Sequence, residues 1–234
     1  MGLITAKGSA AVTSASQSSV DLSKVMIRLK KEGGSTKVRL LGYEDYVEYS
    51  AIGDFNLKVF TQPVRDGKDY FVEAGKLAKA GKVDEKFAGL YIKKRYVIAF
   101  ADLTKGMVRY LDVSQPQFKN FVSQIEDFKE LIEDGSEAVF TLKLTGEGTN
   151  TAYNLQYVPK PKATELEKFH EFDGKTVEIP DFEAVLQPRS AELQVSVLKE
   201  AGFPVAEHFP EIKLEDAEVS ESKADEPVSE LDSI

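Results

Sequence analysis

Apolar and polar positions alternate through most of the first two thirds of the chain, and the longest alternating runs predict strands. Lys37-Val-Arg-Leu-Leu41 predicts one strand and Phe55-Asn-Leu-Lys-Val-Phe60 a second. The turn residues Arg65-Asp-Gly-Lys68 lead into a third, short strand at 69–73. Residues 74–86, rich in Ala, Lys and Gly, predict a short helix and loop. Tyr91–Leu103 predicts a long strand, which Gly106 turns into Met107–Val113 as a hairpin.

The period then changes. Phe118, Phe121, Val122, Ile125, Phe128, Leu131 and Ile132 recur at helical spacing. Ser114 can cap this helix with Gln117 three residues on, Pro116 suits its first turn, and Gly135 can close its end. Two more strands are expected at Ala138–Leu144 and Ala152–Val158, joined through Gly146-Glu-Gly148. Five or six strands with one amphipathic helix between the later ones suit a small barrel, mainly β with some α. After Pro159, Ala163–Phe172 and Arg189–Ala201 look helical, with a Gly174 turn and a short strand near Thr176–Ile179 between them. The arm 8–20 is small and polar and cannot bury a core.

Charge sharpens this picture. The formal net charge is −9, but it is concentrated at one end. Residues 207–234 hold ten acids against Lys213 and Lys223, a net −8, leaving about −1 for the rest. Residues 24–39 and 76–95 each carry a local +5. An anion-binding body with a negative appendage is the reading this favours, although lysines on a solvated surface would leave the same trace. There is no cysteine, and His170 and His208 are the only histidines, which removes thiolate zinc sites and disulfides. No stretch is apolar enough to span a membrane, so no membrane association is expected, and the composition fits a reducing compartment.

Motifs for catalysis are missing. Gly75 to Lys82 resembles a phosphate-binding loop, but five residues separate its glycines and Val83 stands where a magnesium-binding hydroxyl is needed. His170-Glu171 lacks a second histidine at helical spacing, and no Gly-x-Ser-x-Gly elbow occurs. Asp102 and Asp112 flank strands, with nothing to say that they converge. The chain is expected not to be an enzyme, with no cofactor and no metal.

Tyrosines interleaved with bases are the informative feature, since a tyrosine can offer its ring to a nucleobase while its hydroxyl stays wet. In Tyr91-Ile-Lys-Lys-Arg-Tyr-Val-Ile-Ala-Phe100 both strand faces begin basic and end apolar, as in a strand that leaves a core and enters a binding groove. Tyr43, Tyr46 and Tyr49, expected in a loop, form a second candidate platform. The candidate nucleic-acid contacts are Lys37, Arg39, Tyr43, Tyr46, Lys58, Tyr91, Lys93, Lys94, Arg95, Tyr96, Arg109 and Tyr110. The alternative is that the tyrosines cap the ends of the barrel.

The order of these pieces resembles a known family. A basic arm precedes Lys37-Val-Arg-Leu-Leu41 and a Tyr/Phe-rich stretch. Then come Lys93-Lys-Arg-Tyr-Val-Ile-Ala-Phe100, Gly106-Met-Val-Arg-Tyr-Leu-Asp-Val113, an aromatic amphipathic helix, Gly148-Thr-Asn-Thr-Ala-Tyr153 and an acidic tail. This resembles the single-stranded DNA-binding proteins of tailed phages, similar in plan to the helix-destabilising protein of T-even phages. The resemblance covers roughly residues 24–158 and the tail. It departs at Val72–Phe87, which lacks the cysteines and histidine of that family's zinc site, and at Arg28-Leu-Lys-Lys31 with Ser35-Thr36, only loosely similar to its cooperativity motif.

The resemblance implies an OB-fold-like single-stranded DNA-binding domain at 24–159, after a flexible arm at 1–23. An α-rich extension at 160–206 and a disordered acidic tail at 207–234 would follow. It implies Lys37, Arg39, Lys93, Lys94 and Arg95 on phosphates and Tyr91, Tyr96 and Tyr110 under bases. The protein would coat single-stranded DNA in phage replication, recombination and repair, in the host cytoplasm. Its tail would compete with DNA and recruit replication and recombination proteins, with Asp225, Glu226, Glu230, Leu231, Asp232 and Ile234 as the partner-binding end. The alternative function is a non-enzymatic structural or adaptor protein that binds a protein partner through this tail.

Overall fold

The computed structural model describes residues 20–29, 33–64, 67–146, 151–186 and 188–212. Residues 1–19, 30–32, 65–66, 147–150, 187 and 213–234, which include the expected arm, two expected turns and most of the acidic tail, lie outside the described residues.

Among the described residues, seven strands form one antiparallel sheet: β1 (Ser35–Arg39), β2 (Tyr46–Asp54), β3 (Val59–Thr61), β4 (Ile92–Asp102), β5 (Met107–Ser114), β6 (Phe140–Thr145) and β7 (Ala152–Tyr157). The order is β3-β2-β4-β1-β6-β7, with β5 on the other edge of β4. β4 organises the sheet. β2 pairs with it over Ile92–Ile98, β1 takes over at Ala101 and Asp102, and β5 runs along its opposite edge. The sheet is open rather than a closed barrel. β3 is only three residues long, and the outer edge of β5 is taken by the incoming chain, where the Ile27 N–H donates to the Tyr110 carbonyl at 2.7 Å.

Among the described residues, eight α-helices accompany the sheet: α1 (Leu22–Val25), α2 (Tyr70–Lys79), α3 (Gln115–Asp127), α4 (Lys129–Glu133), α5 (Ala163–His170), α6 (Ile179–Ala184), α7 (Ala191–Glu200) and α8 (Val205–His208). α3 starts as its sequence predicts. Gln117 Oε1 accepts the Ser114 N–H and hydroxyl, each at 3.0 Å. Its Phe121 and Ile125 then pack on Phe100, Leu111, Phe140 and Leu142.

Several local expectations are corrected. The strand expected at 69–73 is the start of α2. Asp69 accepts the Val72 N–H at 3.0 Å as an N-cap, and Tyr70, Phe71, Ala74 and Ala78 bury one side of the helix. The strand expected at Phe55–Phe60 is mostly a turn, and Tyr46 and Tyr49, expected in a loop, lie on β2. No strand forms at Thr176–Ile179; Glu178 precedes α6, and Pro180 sits in that helix's first turn.

The chain ends are also more structured than their composition suggests. Val20 packs on the sheet, so the packed chain begins before residue 23. Residues 207–212 are packed as well. Phe209 is 1% exposed and stacks on Phe203 at 5.0 Å, while Glu211 pairs with Lys68 at 2.6 Å.

The C-terminal third is part of the same packing. Val195, Leu198, Phe203 and Phe209 join Phe71, Phe87, Leu90 and Ile52 in one apolar cluster. Phe182 and Val185 cover Val97, Ala99 and Tyr110, and Phe169 and Phe172 cover Ala101 and Val139.

Candidate nucleic-acid interface

Along β4, burial rises from one end to the other: Ile92–Tyr96 are exposed or half-buried, whereas Val97–Asp102 are all buried. This is the basic-to-apolar gradient of the sequence, laid out over about 13 Å of open strand at roughly 3.3 Å per residue. Tyr91 stands at its tip, 42% exposed. The Lys79 ammonium, from the end of α2, lies 4.3 Å from the Tyr91 ring centroid, and that of Lys93 lies 4.6 Å away. Lys93 also donates to the Gly53 carbonyl at 3.0 Å. Partial burial lowers its pKa, and the nearby Arg95 and Lys79 charges add to this against the opposing pull of Asp54.

Two apolar side chains add to this end of the sheet. Ile92 and Phe55 are each 51% exposed, one beside Tyr91 in the chain and the other two residues beyond Gly53. Lys58, exposed in the same β2–β3 turn, has a left-handed backbone with φ 51°.

A second aromatic group sits further along, on the opposite face of β4. Tyr96 stacks on Phe118 of α3 with centroids 3.9 Å apart and planes 3° from parallel. Tyr46 meets Phe118 edge-on at 5.1 Å. The Tyr96 hydroxyl donates to Glu48 at 2.9 Å, and Glu48 pairs with Lys94 at 2.9 Å. The Glu48 hydrogen bond raises the Tyr96 pKa, and the Lys94 hydrogen bond first, then that of Tyr96, lowers the pKa of Glu48. Tyr43 packs at the rim of the same core, with the Lys129 ammonium 4.5 Å from its ring.

The remaining candidates among the described residues are engaged by partners within the protein. Arg39 lies over the Phe169 ring at 3.9 Å, donates to the Phe169 carbonyl at 2.7 Å and pairs with Asp173 at 2.7 Å. Arg95 pairs with Asp112 at 3.0 Å, and Asp112 also accepts the Tyr49 hydroxyl at 2.9 Å. Arg109 pairs with the fully buried Asp102 at 2.9 Å and donates to the carbonyls of Lys24 and Met26. Tyr110 is a core residue rather than a platform: it is 7% exposed and meets Phe182 edge-on at 5.6 Å. Burial pushes its hydroxyl pKa up to about 12. Lys37 is half-buried and donates to Thr141 Oγ1 at 2.8 Å. The tail candidates Asp225, Glu226, Glu230, Leu231, Asp232 and Ile234 lie outside the described residues.

Sequence reasoning missed Lys79, Phe55 and Phe118 as members of this surface. Lys79 was visible only as part of a basic stretch, and Phe118 as one apolar position on a helix. The two glycines that resembled a phosphate loop have backbone roles instead: Gly81 takes a left-handed φ of 69° after α2, and Gly75 allows close packing. A Cβ on Gly75 would lie 2.0 Å from the Leu90 carbonyl oxygen, so α2 passes too close for any side chain there. Asp102 and Asp112 do not converge, because the β4–β5 register puts them on opposite faces of the sheet, each with its own arginine.

Among the described residues, no group of three His, Asp or Glu side chains could hold a metal ion, and no helix is long and apolar enough to cross a membrane. No family model matches the chain, and no curated protein matches its sequence.

Proposed function

We propose that this chain is a sequence-independent single-stranded DNA-binding protein whose interface is the open end of β4. In this reading it is an OB-fold-like protein of the phage type, which coats and protects DNA during replication, recombination and repair in a host cytoplasm. The observation that carries the proposal is Tyr91, exposed at a strand tip and flanked by Lys79 and Lys93. A base that stacks on the exposed ring takes the place of an ammonium now over it, and the two ammonium groups then neutralise the adjoining phosphates. Sequence independence follows from the same inventory. The forked donors Arg39, Arg95 and Arg109, which could read base edges in pairs, are engaged internally. Around Tyr91 it is lysines, which act as point charges, that remain at the surface.

In this proposal the acidic residues 213–234 compete with DNA for the basic surface and, once displaced, recruit replication and recombination proteins. The segment has eight acids against Lys213 and Lys223.

The test is fluorescence anisotropy with labelled oligo-dT across a salt series. Tyr91→Ala is expected to weaken binding by about 1–3 kcal/mol, roughly 5- to 150-fold. Lys79→Ala and Lys93→Ala should each reduce the log–log salt slope by about 0.7, and Arg39→Ala should leave it unchanged. Truncation after Ile212 should strengthen binding. No binding by the full chain at low salt, or an unchanged affinity for Tyr91→Ala, would overturn the assignment. Binding that ignores the truncation would remove the competing role of the tail.

A further inference from the structure

Among the described residues, one stretch of the sheet is left uncovered between two packed regions. On the face of β4 that carries Tyr96, Ile92 and Lys94 are exposed, and so are Glu48 and Ser50 of β2 beside them. Toward one end, Tyr96 packs on the core beneath α3. Toward the other, Ile52 is fully buried in the cluster that includes Phe71 and Ala74 of α2.

The β2–β4 register fixes the neighbours on this stretch. Ser50 lies opposite Lys94 and Glu48 opposite Tyr96, and opposed residues share a face with their Cβ atoms about 5 Å apart. Glu48 accepts two donors there, the Lys94 ammonium and the Tyr96 hydroxyl, each at 2.9 Å. The hydroxyl is held in position, because the Tyr96 ring is stacked on Phe118. The ion pair lies in solvent, with the Lys94 side chain 64% exposed and that of Glu48 46%, and a pair so exposed contributes little to the fold. The Lys94 hydrogen bond holds the Glu48 carboxyl below its ordinary pKa, and Glu48 holds the Lys94 ammonium above its own, so both are charged at neutral pH.

We propose that Lys94 and the Tyr96 hydroxyl form a phosphate subsite for single-stranded DNA, which Glu48 occupies in the free protein and yields when a strand binds. The inference rests on the nucleic-acid reading above. A carboxylate and a phosphodiester each present two oxygens that share a negative charge, and an ammonium with a tyrosine hydroxyl suits either. Ser50, opposite Lys94, adds a second hydroxyl at the same place. Lys94 faces away from Lys93, so a strand that reaches both crosses the tip of β4, where Tyr91 and Ile92 are exposed. Glu48 is then a competitor built into the sheet itself.

Fluorescence anisotropy with labelled oligo-dT on the full chain tests this, using Glu48→Gln, Lys94→Ala and the two together. Glu48→Gln should bind roughly two- to fivefold more tightly at low salt and steepen the log–log salt slope by about 0.7, because Lys94 no longer gives up a carboxylate before it meets a phosphate. Relative to Lys94→Ala alone, the double variant should show neither gain. Glu200→Gln, the same charge change at an exposed position on α7, should alter neither quantity. An affinity for Glu48→Gln equal to that of the unaltered chain, or a gain that survives Lys94→Ala, overturns the subsite while leaving the Tyr91 reading intact. A full chain that does not bind oligo-dT at low salt overturns both.

Discussion

Gln194 is the residue whose replacement most directly tests how the C-terminal third holds the basic surface in place. It is fully buried on α7, and three of its four hydrogen bonds are directed at the start of α2. Its Oε1 accepts the backbone N–H groups of Tyr70 at 2.8 Å and Phe71 at 3.3 Å. Its Nε2 donates to Asp69 Oδ2 and to the Arg189 carbonyl, each at 3.3 Å. The first N–H groups of a helix have no partner within the helix, so Gln194 does for Tyr70 and Phe71 what a cap would otherwise do. Gln194→Leu keeps the bulk and removes the acceptor, leaving those two donors buried and unsatisfied. At about 1–3 kcal/mol for each orphaned group, and with the longer bond counted as the weaker, the loss should be about 2–4 kcal/mol. For a chain of this size that corresponds to a fall in Tm of roughly 4–16 °C. Urea unfolding followed by circular dichroism measures it, with Leu193→Ala, an exposed position on the same helix, as the control. A loss below about 1 kcal/mol for Gln194→Leu would refute the argument that α2 is capped from α7. Because α2 carries Lys79, the variant should also weaken oligo-dT binding without any change to a contact residue.

Two further predictions follow from packing and titration. Phe209→Ala should cost about 3–5 kcal/mol in a urea melt, because a fully buried ring is lost, whereas truncation after Ile212 should leave the melt almost unchanged; equal effects would show that Phe209 is not part of the core. His170 lies 2.9 Å from both Asp173 and Glu137, and these hydrogen bonds, Asp173 first, hold its pKa above the usual 6.5. The stabilisation is thus fully present below pH 6.5 and is lost as pH rises through the raised value. A nuclear magnetic resonance titration should place the midpoint above 6.5 and show Asp173→Asn lowering it; a midpoint at or below 6.5 would contradict the geometry.

Local chemistry made part of this fold legible. β4 and β5 show in the sequence because alternation and a Gly106 turn are properties of neighbouring residues, and α3 announces itself through Ser114 and Gln117. The start of α2 was hidden for the same reason in reverse. Tyr70-Phe-Val72 favours a strand locally, and it becomes helical where Asp69 caps it and Gln194, 124 residues away, accepts its first donor.

The candidate site divides in the same way. The sequence alone placed bases and tyrosines at the start of β4, and their order along one strand is enough to create the gradient seen there. Which of them face solvent was decided by partners far along the chain. Arg39 is held by Asp173, 134 residues on, and Arg109 by the buried Asp102, while Lys79 reaches Tyr91 only because α2 packs beside the strand. The openness of the sheet was likewise a tertiary outcome, since Pro63 stops one ladder and the chain at Met26–Ile27 occupies the edge of β5. A side chain's charge and periodicity are written in its own neighbourhood, but its exposure depends on what packs against it, and only the folded chain determines that.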